Sequence, residues 1–129
     1  MTDDEFLAAF ERCALAPIDF GHVQHARAAF LYLERKPFGA AIDAMSDGLR
    51  RFAASLGRAE RYHETLTVAF MALVNARRRD EPGETWESFA ERNPDLLRTS
   101  VIGEYYSPET LASGEARRRF TLERRSAGP

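Results

Sequence analysis

Three histidines, His22, His25 and His63, are the residues whose type and spacing point most directly to chemistry. His22 and His25 stand at i and i+3 in "DFGHVQHARAAFLYL". His63 stands in "RYHETLTVAF", next to Glu64. Neutral imidazole is the commonest side-chain donor to transition metals. Two rings one helical turn apart can bind one ion together, and His63 from a facing helix would be the third ligand. Three protein ligands and an open position form the layout of a catalytic zinc site, and a single iron or copper ion uses similar donors. Glu64 would then be a fourth ligand or a general base.

The same residues also support a metal-free reading. A partly buried His63 beside Glu64 could move protons on a small-molecule ligand, with Arg27, Tyr62 and Thr67 completing the pocket. A third reading is structural. An ion pair between Arg27 and Glu64, with hydrogen-bonded imidazoles, would fix helix register in a non-catalytic interaction module. Other motifs fit less well. Glu60 and His63 make one Glu-x-x-His pair, but a di-iron bundle needs two. Neither a His-Glu-x-x-His motif nor a glycine-rich phosphate loop is present.

The elements that must position these residues are helices. "TDDE" places a capping box before Phe6, Leu7 and Phe10, predicting a first helix from about 3 to about 14. Pro17 and Gly21 break it, and Asp19 is the expected cap of the second helix. At ~100° steps Ala26, Ala29, Phe30 and Leu33 share a face that includes His22, with His25 at its edge. Pro37 separates this helix from a third, where Phe38, Ala41, Ile42, Met45, Leu49, Phe52, Ala53 and Leu56 recur at three and four, with Gly57 as C-cap. A fourth helix is predicted from about Ala59 to about Arg79. Its segment "VAFMALV" is apolar on every side and so is expected at the centre. Glu60, His63, Glu64 and Thr67 would form a stripe on its first turns. Thr85 caps a short helix with Trp86 and Phe89 on one side, "DLLRTSVIGEYY" reads as another, and Ser107-Pro108 starts a last one. The expected fold is one all-α domain over residues 1–129. It is a compact bundle of three or four main helices closed by short C-terminal ones, with Phe120 and Leu122 docking on the body and the last few residues frayed.

Bulk properties narrow the classes. The chain has 129 residues, 44% hydrophobic and 29% charged, with a formal net charge of -2. That suits a single core and gives no general attraction to polyanions. The arginines at 117–119 and 123–125 lack an aromatic platform, so nucleic-acid binding is not expected. Cys13 is the only cysteine. It excludes an internal disulfide and a thiolate zinc cluster, and its helical pattern suggests a small buried thiol. The acidic start and the short longest apolar run suggest neither a secretory signal nor a membrane span, so a cytoplasmic location is expected. The amphipathic faces would also suit a homodimer interface.

The blocks "FGHVQHARAAFLYL", "RYHETLTVAF", "NPDLL" and "YYSPETLAS" resemble those of a group of small bacterial helical proteins with no established activity. The group carries a Phe-x-His-x-x-His-x-Arg-x-Ala block and a Tyr-His-Glu-Thr block. The resemblance runs from about residue 18 to about residue 122. It implies that these blocks belong together and transfers no catalytic residue.

Overall fold

Thr2 begins the first helix as its sequence suggests: its hydroxyl accepts from the Glu5 amide at 3.1 Å. A computed structural model of the chain describes residues 1–80 and 83–124. Every regular element among them is helical. The expected frayed tail falls outside the described residues. No helix in the described residues is long and apolar enough to cross a membrane.

Helix α1 spans Asp3–Glu11 and stops short of the expected end. Cys13 takes a left-handed backbone, φ 55°. The Cys13 amide donates to Phe10 O at 3.1 Å, and the Ala14 amide to Ala9 O at 2.8 Å. This is a Schellman closure with cysteine where glycine is usual. Cys13 is therefore a half-buried capping residue and not a thiol inside a helix. The same closure ends α3, where Gly57 has φ +68° and the Arg58 amide reaches Ala53 O at 2.9 Å.

Asp19 does not cap α2 (His22–Arg35). It lies in a single 3-10 turn, Pro17–Asp19, and Gly21 is the N-cap. The Gln24 side chain reaches back to accept from the Gly21 amide at 2.9 Å. The displacement follows from Phe20, which is buried against Phe10 and Phe52 with ring centroids 4.8 and 5.0 Å away. Burying that ring uses the residue on which an earlier helix start would depend.

Lys36 and Pro37 connect α2 to α3 (Phe38–Ser55). Phe20, just before α2, meets Phe52 near the end of α3, so the two helices run antiparallel. Helix α1 crosses α3 closely at Gly48, where a Cβ would stand 2.4 Å from the Phe10 ring. No larger residue fits there without displacing a fully buried phenylalanine.

Helix α4 begins at Glu64 and ends at Arg77. The expected continuous start from Ala59 is absent. Ala59–Arg61 form a separate 3-10 turn, and His63 is the N-cap. Glu60 therefore does not share a helical stripe with His63 and Thr67. The central position also belongs elsewhere. Ala28, Ala29, Phe30, Leu31, Tyr32 and Leu33 of α2 are all buried, whereas Ala72 of α4 is exposed. Helix α2 packs against α3, α4, and α5 (Trp86–Arg92), which covers its middle.

Thr85 caps α5 and Phe89 stacks on Phe30 at 4.8 Å. The next segment folds as two 3-10 stretches, Pro94–Leu97 and Thr99–Glu104, in place of one short α-helix. Ser107 caps α6 (Pro108–Ala112) and Ser113 caps α7 (Gly114–Arg118). Phe120 and Leu122 do not dock: they are 42% and 77% exposed. Polar contacts hold the segment instead. Thr65 Oγ1 donates to Arg119 O and accepts from the Thr121 amide, both at 3.0 Å, and Tyr106 donates to Thr121 O at 2.7 Å.

A left-handed residue with a Cβ is strained by about 1 kcal/mol relative to glycine. Cys13→Gly is therefore expected to raise stability by roughly that amount, read as a higher urea midpoint at unchanged slope. A midpoint equal to or below the parent's would contradict the left-handed cap.

Candidate functional site

The orphan amides at the start of α4 need acceptors. His63 supplies one: Nδ1 accepts from the Leu66 amide at 3.1 Å. Its other nitrogen, Nε2, stands 2.8 Å from Leu111 O in α6. A carbonyl only accepts, so Nε2 carries the proton and Nδ1 is the lone pair. The ring is thus the neutral Nε2–H tautomer with both nitrogens engaged. Its residue is only 6% exposed.

His22 is anchored at one nitrogen. Its Nε2 donates to Leu96 O at 3.0 Å, which leaves Nδ1 as an acceptor. Burial lowers its pKa, and the bond to Leu96 opposes that partly. His25 differs from both. Its ring lies on Phe20, centroids 4.4 Å apart, and 6.5 Å from the His22 ring. No hydrogen bond to either nitrogen is formed among the described residues. Burial first, and then repulsion from a charged His22, lower its pKa to about 4.

All three imidazoles line one cavity of about 340 Å³. Tyr62 and Thr67 line it with them, and Met45, Leu49, Phe52, Phe70 and Met71 form its apolar walls. The half-buried Leu49, Phe52 and Ala53 and the exposed Arg61 and Thr99 mark its open side. The start of α2, the second half of α3 and the first half of α4 therefore surround one space. The break at Tyr62–His63 lies on the wall, where Arg61, Tyr62 and His63 all border the space.

The other candidates lie differently. Arg27 does not reach the cavity. It pairs with Asp3 at 2.7 Å and sits over the Phe6 ring at 4.5 Å, against α1. The Arg27–Glu64 ion pair expected from the sequence is thus replaced by one to Asp3. Glu64 is also outside the cavity lining. It accepts from Tyr62 at 2.5 Å and pairs with Arg50 at 3.5 Å. Because Tyr62 donates to Glu64, the Ser46 hydroxyl at 2.7 Å must donate to Tyr62. Burial, and then the bond to Glu64, raise the Tyr62 pKa. Its hydroxyl is committed and only its ring is offered to the cavity. Thr67 donates to His63 O at 2.9 Å, which leaves its oxygen as an acceptor.

A transition-metal centre was tested against this donor set. With both His63 nitrogens engaged, the rings keep free lone pairs only on His22 and His25. No group of three or more histidine, cysteine, aspartate or glutamate side chains among the described residues is placed to hold an ion. The arrangement does not fit a three-ligand site. What it can do is accept a largely apolar molecule and hydrogen-bond to it through His25.

Sequence reasoning found the imidazoles and missed Arg61, Thr99 and Ile102 on the wall. Arg61 adjoins Tyr62 and His63, and that adjacency was the available signal. Thr99 and Ile102 reach the cavity through 3-10 geometry that helical periodicity does not report.

Set against known protein families, curated proteins and solved structures, the chain matches none.

The lowered His25 pKa has a consequence for stability. The unfolded ring takes up a proton near pH 6.5 and the folded ring only near pH 4. Stability from this group is full above pH 6.5 and falls as pH drops toward 4. The loss is about 3 kcal/mol at most. The urea midpoint should therefore decline over this interval, and decline less steeply in His25→Leu. Identical slopes in the two chains would show that folding does not lower the ring's pKa.

Proposed function

We propose that this chain is a binding domain for a small, mostly apolar molecule, which enters the cavity between α2, α3 and α4 and is anchored by a neutral hydrogen-bonding group at His25. The observation that carries the reading is the His25 ring. It is a polar group on the wall of an apolar cavity whose nitrogens have no partner among the described residues. The ring is half-buried with its nitrogens still accessible, so they can pair with a molecule that enters the cavity. A neutral imidazole offers one donor and one acceptor, which suits a hydroxyl or carbonyl. The cavity's size also falls in the range of small-molecule sites, roughly 300–1,000 Å³.

His22 plays a supporting part, held by Leu96 O with its free Nδ1 beside His25. His63 is given a structural part, since its hydrogen bonds already use both nitrogens. Glu64 is read as an orienting partner of Tyr62 and Arg50 and not as a base acting in the cavity.

Decanol, titrated by calorimetry below its solubility limit, should bind saturably with one site. Ala53→Trp, which fills the cavity from α3, should abolish binding while helical circular dichroism is kept. His25→Phe preserves the ring's bulk and removes the hydrogen bond, so it should weaken binding about tenfold. Absence of saturable binding, or binding indifferent to Ala53→Trp, would leave the cavity as a packing defect and favour a helical module that works by association.

A further inference from the structure

Among the described residues, one side chain on the cavity wall carries a permanent charge. Arg61 lines it, and no carboxylate does. None of the ion pairs among the described residues takes the Arg61 guanidinium. The nearby carboxylates are turned elsewhere. Glu64 is held by Tyr62 and Arg50, and Glu60 borders a separate surface groove with Arg50, Arg117 and Arg118. The backbone around Arg61 is fixed from outside. Arg117 Nη1 donates to the carbonyls of Glu60, Arg61 and Tyr62 at 3.2, 3.1 and 3.4 Å. This draws a second guanidinium toward the same turn. Arg117 thus braces the turn from the separate groove, and Arg61 is the cation at the cavity itself.

We propose that the ligand is an amphipathic monocarboxylate, its acid group held by Arg61 at the mouth and its apolar body enclosed between α3 and α4. This rests on the binding role assigned to the cavity above and specifies the chemical class of its occupant. Two features define the class. The mouth is cationic, partly exposed and unpaired, so it meets a carboxylate without a buried charge having to be formed. The interior has apolar walls with a neutral hydrogen-bonding group at His25, so it accepts a hydrocarbon or aromatic body with at most a hydroxyl or carbonyl at its far end. A dianion or a nucleotide would have to bury charge against Phe52 and Phe70.

The test compares ω-hydroxydecanoate with its methyl ester, which share body and hydroxyl and differ in charge. Both are titrated by calorimetry into the full chain at low salt. The acid should bind about tenfold more tightly than the ester. That gap should shrink on added salt and vanish in Arg61→Ala. Arg61 is exposed, so circular dichroism of the variant should be unchanged. Equal affinity for acid and ester would overturn the monocarboxylate assignment and leave the binding role standing. A preference for the acid that survives Arg61→Ala would overturn the role given to Arg61. Failure of both compounds to bind would remove the binding role itself.

Discussion

The imidazole of His63 holds the functional end of the molecule together. A helix start buried without acceptors is costly, and an imidazole that accepts there must be neutral at Nδ1. That requirement fixes the tautomer, and the tautomer makes Nε2 a donor. The donor then finds Leu111 O, 48 residues away in sequence. One ring thereby caps α4 and secures α6 to it. Thr65, two residues on, repeats the device with its hydroxyl between Arg119 O and the Thr121 amide. The C-terminal segment is therefore positioned by side-chain-to-backbone hydrogen bonds, and its phenylalanine and leucine stay exposed.

The cavity adjoins that cap. Had α4 continued back to Ala59, the helix would have carried Arg61 and Tyr62 around its axis. Because His63 adopts an extended backbone, φ -134° and ψ 109°, the preceding turn swings aside. Tyr62 then faces α3, where Ser46 and Arg50 meet it, and its hydroxyl donates to Glu64 at the start of α4. The space left between α2, α3 and α4 is walled by aromatic and aliphatic side chains. The two α2 imidazoles border it with unequal freedom: Leu96 O anchors His22, and His25 rests on Phe20 with its nitrogens open. A polar group left without a partner in such surroundings gains more from a ligand than it would from water at a surface.

Much of this was legible in the sequence. Three- and four-residue periodicity located α2 and α3, and Thr2, Thr85 and Ser107 marked helix starts because capping is a local interaction. The grouping of the three histidines with Tyr62 and Thr67 followed from assigning the starts of two apolar helices to the same end of the bundle. What was illegible depended on contacts distant in sequence. Nothing in "RYHETL" announces that His63 is a cap, since the bond that fixes its proton comes from Leu111. Arg27 pairs with Asp3 instead of Glu64 because the start of α1 comes within reach of its side chain, a contact distant in sequence. The uniform apolarity of "VAFMALV" suggested the central helix. Yet α2 takes that place, since its alanines 26, 28 and 29 allow close approach on several sides.

The account depends most directly on which nitrogen of His63 holds the proton at neutral pH. Long-range nitrogen–proton correlation NMR of the three imidazoles reads this. The expected result is a neutral His63 with a pyrrole-type Nε2 and a pyridine-type, hydrogen-bonded Nδ1, unchanged when ligand is added, while the His25 signals move. A doubly protonated His63, or one protonated at Nδ1, would contradict the cap and the bond that secures α6 to it.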